Sequence, residues 1–118
     1  MDYGLETLLS LHGTKYEYAC GYWYEIIAYR VEPGINRPHG IRYSLTLHDR
    51  HNQRVYGMDN AHAPHCPQKR MSRARIQRWD HVHQTLTDKG KPYDFVDAAQ
   101  LMEHFFTAVD DIIAQVIQ

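Results

Sequence analysis

A chain of 118 residues, 43% hydrophobic and 23% charged, suits one folded domain of residues 1–118 with one core rather than a disordered or fibrous protein. Its net charge of −1 hides a division: residues 37–91 hold 11 of the 13 Lys and Arg, seven of the nine His and only four acids, a net of +7 before the histidines. That segregation predicts a positive face for a polyanion, unless folding mixes it with the acidic flanks.

The opening "MDYGLETLLSLHG" has no basic n-region, and no apolar stretch nears the roughly 18 residues that span a membrane. Cys20 and Cys66 form no CxxC pair. A cytoplasmic protein with two reduced thiols and no membrane partner is the expectation.

In chain order, Tyr, Trp, Ile and Val crowd residues 14–32, and glycines punctuate the run at Gly13 and Gly21. Short strands are predicted at about 6–11, 14–19 and 21–32. In the third, apolar side chains occur at both parities, which predicts burial on much of both faces. "EPGINRPHG" reads as a loop. In "IRYSLTLHD", Ile41, Tyr43, Leu45 and Leu47 alternate with Arg42, Ser44, Thr46 and His48, a half-buried strand. The turn "DRHNQ" leads into "RVYGMDN", so 41–59 reads as a β-hairpin.

Residues 60–76 carry two prolines and little apolar content, and read as a mobile basic loop. "IQRWDHVHQ" reads as a short strand and "TDKGKP" as a loop. In "DAAQLMEHFFTAVDDIIAQVIQ" the apolar residues recur with helical spacing, and Asp97 stands where an N-cap is needed. The fold class is therefore α+β: a mostly antiparallel, twisted sheet of about five to six strands with one long C-terminal helix packed across it. Glu103, Asp110 and Asp111 line a helix face that is either solvated or open to a basic partner.

No phosphate loop, HExxH, GxSxG or zinc-spaced Cys/His set is present. Chemistry must come from scattered residues. One set is Asp59, Asn60, His62 and His65, following a strand; Asp59 and Asn60 also suit a turn. A second is Asp80, His81 and His83, where spacing two on a strand puts both histidines on one face, with Trp79. Imidazoles are natural acids and bases near neutral pH, and Arg42, Lys69, Arg70, Arg73, Arg75 and Arg78 supply cations for phosphate. Those ingredients suit metal-independent RNA cleavage, with His81, His83, His62, Asp59 and Arg42 as catalytic candidates and no cofactor. Two rivals stay open. Histidines two apart can ligate a metal, although a catalytic zinc needs about three protein ligands. They can also be plain surface residues on an edge strand. Tyr43 reads as core.

"RPHGIRYSLTLHD", "DNAH", "DHVH" and "PYDFVDA", within residues 20–115, resemble the TumE family of toxin–antitoxin proteins. His39, Tyr43, Asp59, His62, Asp80, His81 and His83 are positions of that match. The resemblance implies a type II toxin that inhibits bacterial growth, encoded beside a helix-turn-helix antitoxin, with RNA cleavage expected by analogy to other small α+β toxins. It leaves open a non-enzymatic module that only joins its partner in operon autoregulation, and it leaves the oligomeric state open.

Overall fold

The computed structural model describes residues 3–34, 39–60, 80–84 and 91–117. Helix α1 (Tyr3–Ser10) precedes strands β1 (Thr14–Glu17), β2 (Trp23–Arg30), β3 (Ile41–His48), β4 (Arg54–Asp59), β5 (His81–His83) and β6 (Lys91–Pro92), and helix α2 (Ala98–Val116) closes the chain. The strands form one sheet in the order β1-β2-β3-β4-β5-β6, and each adjacent pair is antiparallel. Each strand thus lies beside its neighbour in sequence.

Alternation on β3 divides the sheet into two faces. Ile41, Tyr43, Leu45 and Leu47 are buried, and Arg42, Ser44, Thr46 and His48 are half-buried. Ile26, Ala28 and Met58 join the buried face, where α2 contributes Ala98, Leu101, Phe105, Val109 and Ile113. These five helix positions recur at three- and four-residue intervals, so one stripe meets the sheet. Asp97 caps α2: its Oδ1 accepts the Gln100 N–H at 2.8 Å. Asp110 and Asp111 are exposed on the far side.

Two expectations for the N-terminal elements need correction. The strand predicted at 6–11 is instead the end of helix α1 and its following turn. Leu5, Leu8 and Leu9 have helical spacing, and Leu8 is fully buried in the core. The density of leucine concealed that period beside a β-rich run. The two-sided burial predicted for β2 is met only in part. Its Ile26 and Ala28 are buried, but Trp23, Glu25 and Ile27 are half-buried and Tyr29 is exposed. Among the described residues no helix covers that second face. Trp and Tyr tolerate such positions because each carries a polar handle on an apolar ring.

The hairpin at 41–59 forms as expected. The Asp49 carboxylate accepts the backbone N–H groups of His51 and Gln53, at 2.8 and 3.0 Å, and Asn52 takes a φ of 64°. The ladder pairs Leu47 with Tyr56 and His48 with Arg54, which leaves Val55 as a bulge. Lys91 and Pro92, expected in a loop, pair with β5 as the short β6. Most of the loop predicted at 60–76 lies outside the described residues. Its first member, Asn60, is fully buried and tied to β3.

Candidate functional site

Two acid–imidazole pairs stand at one end of the sheet. The first is on the face that no described helix covers, the open face in that sense alone. His83 lies opposite Gly57 in the ladder, and Gly57 has no side chain to occupy the space. The imidazole reaches diagonally to Asp59, with Nε2 3.3 Å from Oδ2. Both side chains are mostly buried, at 10% and 16% exposure, so water screens the pair weakly. Asp59 is paired with Ser44 on β3 and with His81 on β5. Arg42 stands two residues before Ser44, on the same face and toward the same end. Its guanidinium carbon lies 5.9 Å from the ring centroid of Tyr29, its cross-strand partner.

The second pair is on the helix side. Asp80 precedes β5 and is 8% exposed. Its Oδ2 accepts the Tyr43 O–H at 2.7 Å and lies 3.1 Å from His39 Nε2. The His39 tautomer follows from its other nitrogen. Nδ1 accepts the Ile41 N–H at 3.3 Å, so in the neutral ring Nε2 carries the proton and donates it to Asp80. Phe95 packs on the imidazole at a centroid distance of 4.1 Å. Burial, followed by the negative charge of Asp80, pushes the Tyr43 phenol far above the ordinary tyrosine value. Tyr43 therefore stays protonated and serves as a fixed donor.

Asn60 locks the strand ends behind these pairs. Its Oδ1 accepts the Tyr43 N–H at 2.9 Å, and its Nδ2 donates to the Ile41 carbonyl at 2.7 Å. The Asn60 N–H also donates to the Tyr43 carbonyl. Holding β3 to the end of β4 in this way fixes Asp59, the adjacent residue.

At the opposite end of the open face, Trp23 stacks on His48 with centroids 4.0 Å apart and planes at 11°. His48 Nε2 lies 2.9 Å from Thr46 Oγ1. Burial, reinforced by Arg54 and opposed by Glu25, lowers the His48 pKa below its usual value.

The sequence groups Asp80 with His81 and His83, and the structure puts Asp80 and His83 on opposite faces of the sheet. Asp80 faces Tyr43 and His39, while His83 faces Asp59. His62, Lys69, Arg70, Arg73, Arg75 and Arg78, together with His65, Trp79 and Cys66, lie outside the described residues, as does the side chain of His81. Tyr43 is core, as expected, and is also a donor to a buried carboxylate. In the sequence His39 is only a position of the family match. The sequence signal for its role is the short "HGIRY" run, which brings its ring back onto the Ile41 N–H. Among the described residues no three His, Cys, Asp or Glu side chains converge to hold a metal ion, and no helix is long and apolar enough to cross a membrane.

These features define a small α+β protein: a meander sheet, helices on one face, and an acid–imidazole pair on the other. The chain belongs to the TumE toxin family, for the family model described as Toxin TumE matches residues 23–113. The match runs from the first residue of β2 to Ile113, the last buried position of α2; α1 and β1 fall outside it. No curated protein and no solved structure matches the chain. Membership of a toxin family implies a cognate antitoxin as partner.

Proposed function

We propose that this toxin is a metal-independent endoribonuclease, in which the His83–Asp59 pair handles the proton. The observation that carries the reading is the 3.3 Å contact between His83 Nε2 and Asp59 Oδ2 on a face that no described helix covers. A carboxylate beside an imidazole orients the ring and stabilises the imidazolium formed when it takes a proton. In the reaction the ribose 2′-OH loses its proton to His83 and attacks the adjacent phosphorus. The P–O5′ bond breaks, the leaving 5′-oxygen gains a proton, and the products are a 2′,3′-cyclic phosphate and a 5′-hydroxyl. His81, opposite Asp59 in the ladder, is the acid for the leaving oxygen, with His62 as the alternative. Arg42 offsets charge on the phosphorane-like state. Lys69, Arg70, Arg73, Arg75 and Arg78 hold the flanking phosphates. The partner is a helix-turn-helix antitoxin, and the protein acts in a bacterial cytoplasm as one domain.

The test is induction of wild type, His83→Ala and Asp59→Asn in cells, with growth and the 5′-hydroxyl ends of total RNA followed together. Wild type should arrest growth and accumulate 5′-hydroxyl ends. Both variants should stay folded and lose both effects. Arrest without new RNA ends favours the non-enzymatic reading, and a fully toxic His83→Ala removes His83 from the site.

A further inference from the structure

We propose that the cleft at the Trp23 end of the open face is a nucleotide subsite, where Trp23 stacks a single-stranded RNA base and Lys15 and Arg50 hold its neighbouring phosphates. This rests on the RNA-cleaving reading above and extends it to how the strand is held. The cleft has a volume of about 400 Å³ and is lined by Lys15, Glu17, Gly21, Trp23, Arg50 and Asn52 among others.

The indole is held in place before any ligand arrives. His48 stacks on it at 4.0 Å, and its Nε1–H donates to Asn52 Oδ1 at 2.9 Å. Strands β1 and β3 flank β2 on opposite sides, so His48 covers one ring face and Lys15 approaches the other. The Lys15 ammonium lies 5.5 Å from the ring centroid. It sits on a flexible stem and can swing aside for an entering base, as can Glu17, the exposed cross-strand partner of Trp23 on β1. Swung outward, the ammonium meets the phosphate beside the base. A fixed aromatic ring next to mobile cations is the combination that single-strand binding uses.

Arg50 is brought to the cleft by the close approach of two turns. Gly21 takes a φ of +91°, and a Cβ built there would lie 2.9 Å from the Cβ of Arg50. Any side chain at position 21 would push the β3–β4 turn away. Among the charged residues lining the cleft, two are cations and one, Glu17, is a carboxylate. Their small net charge leaves stacking as the main source of affinity.

The subsite lies on the same face as the proposed cleavage site. Ser44 is paired with Asp59, and His48 with Trp23. Four residues of β3 separate them, a distance of ~13 Å at strand rise. An extended single strand covers that in a few nucleotides, passing over Ser44 and Thr46.

The probe is a fluorescein-labelled, mixed-sequence 2′-O-methyl RNA decamer, which lacks the attacking hydroxyl and so reports binding without cleavage. Its affinity is measured by anisotropy for wild type, Trp23→Leu, Trp23→Phe and Arg50→Gln, with circular dichroism confirming the fold of each. Trp23→Leu should weaken binding about tenfold, a loss within the range for one stacked base. Trp23→Phe should stay within about threefold of wild type, and Arg50→Gln, on an exposed turn, should weaken binding and flatten its salt dependence. Should Trp23→Leu misfold, Arg50→Gln decides alone: an unchanged affinity overturns the subsite. Equal binding by folded Trp23→Leu and wild type overturns it too, and leaves the cleavage reading standing if natural RNA is still cut. Cleavage failing while the decamer binds through Trp23 overturns the reaction and not the subsite. No decamer binding by any form overturns the subsite.

Discussion

Tyr43 illustrates how one residue joins core and site. Its ring is fully buried, its backbone is held by Asn60, and its hydroxyl donates to Asp80. Tyr43→Phe keeps the ring and removes that donor. A hydrogen bond to a carboxylate contributes about 1.5–3 kcal/mol, and urea unfolding should show a loss of that size. Asn60→Ala should cost about 2–3 kcal/mol, because the Tyr43 N–H and the Ile41 carbonyl both lose a buried partner. A midpoint unchanged from wild type would show that these contacts contribute nothing net. His48 gives a pH signature. Its pKa is lowered in the folded state from 6.5, so just below 6.5 the unfolded chain binds more protons. Stability should fall as pH drops through 6.5 and level off below the folded pKa. His48→Gln should lose less melting temperature than wild type between about pH 7.5 and 5.5.

Helix α2 supplies the stripe that gives the sheet a buried side, and Phe105 is its largest fully buried member. Phe105→Ala should cost about 3–5 kcal/mol. Helix α1 docks on α2 through a close approach: a Cβ added at Gly4 would lie 2.8 Å from the Cβ and 2.9 Å from the backbone nitrogen of Ala99. Gly4→Ala should therefore cost about 1–3 kcal/mol as overpacking, measurable by thermal melting. A Gly4→Ala protein at least as stable as wild type would contradict that packing. The sequence made α2 legible because nineteen residues carry an uninterrupted helical period and an N-cap. The hairpin was equally plain, since β3 alternates without exception. Helix α1 was not legible: eight residues give two turns, and "LETLLS" fits a strand or a helix until Leu8 is seen in the core. The pairing of Asp80 with Tyr43 and His39 was also hidden. It depends on register across three strands, which no local spacing encodes.

In the whole molecule, the two faces of one sheet divide the work. The helix side carries the core and the Asp80 network, and the open side carries His83, Asp59, Arg42 and the Trp23 stack. The cationic run that suggested a polyanion, Lys69 to Arg78, enters the account through its charge alone. Each neutralised phosphate releases counterions, so RNA affinity should fall steeply with salt. Arg70→Gln, Arg73→Gln and Arg75→Gln together should weaken binding and flatten that slope. If they leave RNA affinity intact and abolish antitoxin binding instead, the run is a partner surface. The claim that matters most is that His83 and Asp59 cut RNA without a metal. The direct measurement incubates purified, chelator-treated toxin with an end-labelled RNA and identifies the product ends. Wild type should give 2′,3′-cyclic phosphate and 5′-hydroxyl ends, undiminished by chelator and absent with His83→Ala. Intact RNA with protein that still arrests growth, or cleavage that His83→Ala leaves unchanged, would contradict that claim.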